Sequence, residues 1–114
     1  MKLQPDQFEK MREGSKTIEA RLNDEKRQLL KVGDEIEFSL ATDPEQKIET
    51  EVSELLQFAT FQELYAAFPP EQYGRASREE YSAMYQYYSR EDEQKQGVLA
   101  IRVRPFSMPE SFHV

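Results

Sequence analysis

The clearest pattern along the chain is an alternation of apolar and polar residues, which predicts β-strands. In residues 17–22, Thr, Glu and Arg alternate with Ile, Ala and Leu, so a strand there has one polar and one apolar face. Strands are also predicted over residues 35–40 and 48–58, where a slip in phase near Leu55 indicates a bulge. A largely apolar run at residues 98–104 predicts the last strand.

Three segments have the spacing and the end signals of helices. Residues 5–13 begin with Pro and are followed by Gly14, which suits a left-handed C-terminal cap. Capping-box patterns open two further segments, 60–68 and 77–88, and Ser89 is placed to cap a final short turn. Strands that bracket helices in this order predict an α+β domain. We expect a small barrel or strongly bent sheet with a helical insertion before its last strand.

Length and composition limit the domain organisation and the chemistry. A chain of 114 residues is expected to form one core, and the absence of cysteine excludes disulfides and thiolate chemistry. The single histidine, His113, is next to the last residue, so we predict no metal and no cofactor. Short apolar runs and the lack of a signal-peptide core predict a cytoplasmic protein with no membrane segment. Residues 106–114 show no periodicity and are expected to form a flexible tail.

The charge is unevenly distributed along the chain. The formal net charge is −7, which argues against tight non-specific binding to nucleic acid. Residues 10–31, however, hold seven basic and four acidic side chains, whereas the remainder holds eight basic and eighteen acidic ones. This asymmetry fits either a basic cleft on an acidic body or chance clustering on a charged surface.

The best candidate for chemistry is the segment 14–21, Gly-Ser-Lys-Thr-Ile-Glu-Ala-Arg. Strand alternation places Glu19 and Arg21 on one face about 7 Å apart, with Lys16 at the turn before them. Lysine can fix an anion or, when desolvated, act as a nucleophile or base; glutamate can accept a proton; arginine can grip a phosphate. The alternative is an ordinary surface salt bridge. We expect this segment to form one wall of a functional cleft.

Four segments occur in an order that is typical of one family. They are Gly-Ser-Lys-Thr-Ile-Glu-Ala-Arg at 14–21, Val-Gly-Asp-Glu-Ile-Glu-Phe at 32–38, Phe-Gln-Glu-Leu-Tyr at 61–65, and Tyr-Tyr-Ser-Arg-Glu-Asp-Glu at 87–93 followed by Gly-Val-Leu-Ala-Ile at 97–101. In this set the chain resembles the ASCH domain family, whose fold is similar to the PUA domain of RNA-modifying proteins. The resemblance implies one ASCH domain over residues 1–105, a PUA-like β-barrel of about five to six strands with flanking short helices.

The resemblance also implies a cleft suited to RNA or a modified nucleoside. In such proteins the Gly-x-Lys-x-x-Glu-x-Arg element lies at the cleft, and nearby basic and aromatic residues could hold phosphate or stack on a base. Tyr88 is equally well explained as a core residue, because it continues an apolar stripe. The candidate ligand-binding residues are Lys16, Glu19, Arg21, Lys26, Arg27, Tyr88 and Ser89, with Tyr87 beside them.

Whether the protein is an enzyme stays open at this point. Some small ASCH-type proteins are amidohydrolases that deacetylate N4-acetylcytidine with a lysine and a threonine on this element. Lys16 matches the lysine, but Glu19 occupies the threonine position, and a carboxylate would give a mixed anhydride rather than an ester. Glu19 could instead activate water, with Lys16 or Arg21 stabilising the oxyanion. The resemblance is also compatible with a ribonuclease and with a protein-interaction domain in transcriptional regulation.

Overall fold

A computed structural model describes residues 1–106 of the chain. The predicted flexible tail, 106–114, lies outside the described residues except for Phe106, and so does His113.

The sheet has five strands and curls into a half-barrel. The strands are β1 (Lys2–Leu3), β2 (Ile18–Leu22), β3 (Glu35–Leu40), β4 (Asp43–Phe58) and β5 (Val98–Pro105). Their order in the sheet is β1-β3-β4-β5-β2; β1 runs parallel to β3, and the other neighbouring pairs are antiparallel. In this order β1 and β2 are the two edges of the sheet. The α+β, PUA-like prediction is therefore confirmed.

The helices flank the sheet, and their ends follow the predicted capping signals. Gly14 caps the first helix with a positive φ of 96°, and the Ser89 hydroxyl accepts a hydrogen bond of 3.0 Å from the Asp92 N–H. The Ser77 capping box is present, but the segment that follows it is a 3₁₀ helix rather than an α-helix. The α-helices are α1 (Pro5–Glu13), α2 (Phe61–Ala67) and α3 (Arg90–Gln96), and the 3₁₀ helices are Arg27–Leu29, Pro70–Tyr73 and Arg78–Gln86.

Two strands differ from the prediction. The strand predicted from residue 48 begins five residues earlier, at Asp43, because Asp43 still pairs with Leu40 of β3. Its predicted bulge is confirmed, but it lies at Ser53, where the register with β5 shifts, rather than near Leu55. The strand β1 was not predicted. Its two residues are too few to show an alternation, and they pair with β3, which lies far along the chain.

The apolar side chains form two clusters, one on each face of β5. Its alternate residues Leu99 and Ile101 pack beneath α1, while Val98 and Ala100 pack beneath α2 and the 3₁₀ helix Arg78–Gln86. Strand β2 follows the same alternation, because Glu19 and Arg21 are paired with Ile101 and Leu99, respectively. The two charged side chains of β2 therefore share a face with the α1 side of the core. The second cluster contains Ile18, Ala20, Phe61, Leu64, Tyr65, Tyr73, Met84, Val98 and Ala100.

Candidate functional site

A pocket of about 280 Å³ lies at the seam where the two edges of the curled sheet approach each other. The guanidinium of Arg21, on β2, bridges the seam and donates a 2.9 Å hydrogen bond from Nη2 to the carbonyl of Lys2, on β1. Curling of the sheet thus brings together residues that are distant along the chain. The pocket is lined by Lys2, Leu3, Gln4, Gln7, Lys16, Glu19, Ala20, Arg21, Tyr65, Tyr73, Arg75, Met84, Tyr87 and Tyr88.

The predicted segment supplies a buried network of three charges in this wall. Glu19 accepts one contact from Lys16, at 3.0 Å between Nζ and Oε1, and one from Arg21, at 2.5 Å between Nε and Oε2. Lys16 is only 3% exposed and Glu19 only 7%. The Lys16 ammonium also donates to the carbonyls of Ile18, at 2.9 Å, and Tyr73, at 3.2 Å. Its three protons therefore have three acceptors, as a buried charge requires.

Burial and pairing act in opposite directions on the pKa values of this network. Burial lowers the pKa of Lys16 below its ordinary value, although Glu19 opposes the change. Burial alone would raise the pKa of Glu19, but Lys16 and Arg21 outweigh it, and the net effect is a lowered pKa. Burial would likewise lower the pKa of Arg21, but Glu19 and Tyr88 raise it overall. Glu19 and Arg21 are therefore held in their charged forms at neutral pH.

The lining of the pocket is strongly positive although the chain is acidic. It contains four cationic side chains, Lys2, Lys16, Arg21 and Arg75, and a single carboxylate, Glu19. The chain as a whole carries −7. Among residues 1–106, Lys2 and Arg75 form no ion pair; the Nε of Arg75 donates to the Tyr65 hydroxyl at 3.3 Å. These two cations are thus available to an anionic ligand.

Four tyrosines line the same pocket. Tyr87 is 62% exposed, whereas Tyr65 and Tyr73 are buried with ring centroids 4.0 Å apart. Burial raises the pKa of Tyr73 to about 12, and its hydroxyl donates to the Tyr65 carbonyl at 2.8 Å. Tyr88 both lines the pocket and stacks on Phe61 at 5.5 Å. Tyr88 thus contributes to core packing and to the pocket wall at the same time.

Three of the predicted site residues lie outside the lining. Ser89 is exposed and caps α3. Lys26 is exposed, and Arg27 pairs with Asp24 at 3.4 Å. Burial and, after it, the charges of Arg21, Arg27 and Lys26 lower the pKa of the Met1 amino group.

Sequence reasoning missed Lys2, Gln7 and Arg75. Lys2 and Gln7 reach the pocket only because the sheet curls and carries β1 and α1 to the seam. Arg75 follows the left-handed cap Gly74 in a connection without periodicity, so no pattern distinguished it from a solvated arginine. The available signal was its position between Tyr73 and the segment Arg78–Gln86, which contains Tyr81 and Tyr85.

Neither a metal-ligand cluster nor a membrane-spanning helix occurs in the described range 1–106. No three His, Cys, Asp or Glu side chains in that range come together as ligands for a metal ion. None of the helices there has the length and apolar composition needed to cross a bilayer.

Two solved structures are similar to this chain over nearly its whole length. The crystal structure of hypothetical protein PH0355 has a TM-score of 0.77 and 32% sequence identity, over 92% of this chain and 95% of that one. The solution NMR structure of protein PF0455 from Pyrococcus furiosus has a TM-score of 0.67 and 30% identity, over 94% of this chain and 96% of that one. No curated protein matches the chain.

The part of the chain that matches a protein family includes all the residues of the pocket. The model of the ASCH domain family matches residues 1–107, a range that contains every residue of the lining. The order of the four sequence segments predicted this result, and the half-barrel with its flanking helices agrees with it. The chain belongs to the ASCH domain family.

Proposed function

We propose that the pocket binds a nucleotide unit of RNA, or a modified nucleoside with an attached phosphate. The observation that carries this proposal is the excess of positive charge in the lining, four cations against one carboxylate, on a chain of net charge −7. A local positive field in a concave site attracts an anion even when the whole molecule is acidic. Membership of a family with a PUA-like fold supports RNA as the source of that anion.

The four cations divide into two pairs with different tasks. Lys16 and Arg21 are held by Glu19 and by backbone carbonyls. Lys2 and Arg75 form no ion pair among the described residues, although Glu80 and Asp6 are close enough to Arg75 for their charges to act on it, and the flat, forked guanidinium of Arg75 suits a phosphate. We therefore assign phosphate binding to Arg75 and Lys2.

The rest of the lining suits a base and ribose. The ring of Tyr87 is accessible at the rim, and base–aromatic stacking contributes about 1–3 kcal/mol per base in other proteins. The volume, about 280 Å³, is close to the lower end of the range for small-molecule sites, about 300–1,000 Å³. A single nucleotide rather than a duplex fits these dimensions.

Binding of RNA is tested by the affinities of matched arginine variants. Arg75→Ala removes a pocket cation, whereas Arg104→Ala removes an exposed cation that pairs with Glu51 and lies outside the lining. Both variants change the net charge equally. We expect Arg75→Ala to weaken binding of a short single-stranded RNA and of 5′-mononucleotides about 10-fold or more, and Arg104→Ala to change it less than about 2-fold. Equal losses in the two variants, or no binding by the wild type, would overturn the proposal.

Hydrolysis is the second candidate, favoured by one observation. Lys16, buried beside Glu19 in the pocket wall, has a pKa lowered by burial, as expected for a lysine that exchanges a proton. Against it, the Lys16 ammonium already donates to three acceptors and both oxygens of Glu19 are engaged, so neither group is free to attack or to activate water. Binding is therefore our first proposal.

The hydrolase candidate has a direct chemical test. The wild type and the Lys16→Met variant are incubated with N4-acetylcytidine and with single-stranded RNA, and the products are separated by chromatography. A hydrolase centred on Lys16 gives product with the wild type alone, at a temperature where circular dichroism shows that both proteins are folded. Equal product from both proteins, or none from either, rules that activity out.

A further inference from the structure

One edge of β2 carries backbone groups that no strand pairs. Among residues 1–106, β2 is bonded to β5 alone. Two hydrogen bonds show which residues of β2 bond to β5. The Val103 N–H donates to the Thr17 carbonyl at 2.8 Å, and the Asn23 N–H donates to the Gly97 carbonyl at 2.9 Å. In an antiparallel ladder alternate residues face the partner, so residues 17, 19, 21 and 23 face β5. Residues 18, 20 and 22 direct their N–H and C=O groups to the opposite side.

The pocket surrounds this free edge at Ala20. Glu19 and Arg21 line it from one face of β2, while Ala20 lines it from the other face together with Tyr65 and Tyr73. Residues from both faces can line one cavity only where the cavity extends around the edge between them. The edge at Ala20 therefore faces into the pocket.

Within the pocket lining, Ala20 is the position on this edge whose backbone groups are both free. The carbonyl of Ile18 accepts the Lys16 ammonium, and Leu22 is not part of the lining. Neither the N–H nor the C=O of Ala20 has a partner among the described residues, although the residue is only 7% exposed. Backbone groups are almost always paired, with protein, water or ligand, so the pocket offers this donor and acceptor to water or to a ligand.

We propose that the N–H and C=O of Ala20 bind the donor–acceptor edge of a nucleobase through two parallel hydrogen bonds. This inference rests on the proposed nucleotide-binding function and adds how the base is held. In an extended strand the two groups of one residue point the same way and offer a donor beside an acceptor. Each nucleobase presents the complementary pair, a ring nitrogen beside an exocyclic amino or carbonyl group, and single-stranded RNA is read at such edges.

A peptide strand is a poorer occupant of the same edge. Strand addition uses a row of main-chain hydrogen bonds along several residues. Here the Lys16 ammonium covers the edge on one side of Ala20, and the Arg21 side chain spans from β2 to Lys2 on the other. Only one donor–acceptor pair of this edge, that of Ala20, lies in the lining of the cavity, which has a volume of about 280 Å³. A small planar ligand satisfies this pair, and a strand does not.

The test compares ligands with and without a base by amide hydrogen exchange and chemical shifts. The ¹⁵N-labelled protein is titrated with each of the four ribonucleoside 5′-monophosphates and with ribose 5-phosphate, which has the anion but no base. At least one nucleotide should shift the Ala20 amide proton downfield and slow its exchange with solvent. The amides of Glu19 and Arg21, which face β5, are internal controls and should keep their exchange rates. Ribose 5-phosphate should leave Ala20 unchanged and bind about 10-fold or more weakly.

The outcomes separate this inference from the proposed function. If nucleotides shift the signals of Lys2, Arg75 and Tyr87 but leave the exchange of Ala20 unchanged, the reading of the base by Ala20 is wrong and the nucleotide site stands. If ribose 5-phosphate protects Ala20 as well as the nucleotides do, the base is not the partner and the inference fails. If no signal of the lining moves with any ligand, the proposed function fails, and this inference fails with it.

Discussion

At the scale of single residues, the charged side chains of Lys16 and Glu19 are buried in the fold, which is possible only because they form an ion pair. Each is nearly inaccessible, and each would bear a large desolvation cost without its partners. The sequence predicted the cluster of Lys16, Glu19 and Arg21 because strand alternation is local. It did not predict that Glu19 would be buried, since burial depends on α1 and on the segments around Tyr73 closing over β2.

Removal of the Lys16 charge should be strongly destabilising. Lys16→Met keeps most of the side-chain volume but leaves Glu19 with one partner, and we expect a loss of about 3–5 kcal/mol in the free energy of unfolding. The matched control is Lys95→Met, at an exposed pair with Glu91, which should change stability by less than about 0.5 kcal/mol. Urea unfolding measures both. A loss below about 1 kcal/mol for Lys16→Met would contradict a buried, paired charge.

Glu19 should make the protein acid-sensitive. Its native pKa lies below the ordinary value of 4.5, so the native state binds this proton less readily than the unfolded chain does. The resulting stabilisation is complete above the unfolded pKa and is lost as the pH falls through the native pKa. Urea midpoints between pH 7 and pH 3 should therefore fall less steeply for Glu19→Gln than for the wild type. Parallel curves for the two proteins would show that Glu19 is not stabilised as an anion.

At the scale of elements, a buried carboxylate joins three segments behind the pocket. Glu93, on α3, accepts a 2.7 Å hydrogen bond from the Phe61 N–H at the start of α2 and one of 2.8 Å from the Tyr85 hydroxyl. The end signals of these helices were readable in the sequence because a cap involves residues three positions apart. The bond from Phe61 to Glu93 spans 32 positions, and no local pattern reports it.

Loss of this carboxylate should loosen the helical side of the domain. Glu93→Ala leaves the buried Phe61 N–H without its acceptor, and we expect a loss of about 1–3 kcal/mol in the free energy of unfolding. Glu91→Ala, on the exposed side of the same helix, is the control and should have little effect. Thermal unfolding followed by circular dichroism compares the two. Equal melting temperatures for both variants would contradict the role given to Glu93.

At the scale of the whole molecule, the pocket is a consequence of closure. The two edges of the sheet meet through Arg21 and Lys2, and the cations of the lining come from β1, from β2 and the turn before it, and from the connection that contains Arg75. The sequence predicted the barrel class and the β2 wall. It could not predict the opposite wall, because a curled sheet brings that wall into place through contacts between residues far apart in the chain.

The salt dependence of binding tests this arrangement of charge. If Lys2 and Arg75 each neutralise one phosphate of single-stranded RNA, the logarithm of the affinity should fall with the logarithm of salt concentration with a slope of about −1.4. Arg75→Ala should reduce the slope to about −0.7, because one phosphate contact is lost. The slope is measured by fluorescence anisotropy of a labelled RNA over a series of salt concentrations. An unchanged slope in the variant would place the phosphate contacts elsewhere.

The seam between β1 and β2 is our proposed ligand site, and a chemical-shift map of the protein tests this assignment. The ¹⁵N-labelled protein is titrated with a short single-stranded RNA at low salt, and each amide shift is plotted on the fold. We expect the largest shifts to cluster at Lys2, residues 16–21, Arg75 and Tyr87, while the region around Arg104 and Glu51 is unaffected. Shifts centred away from the seam, or no shifts at all, would contradict it.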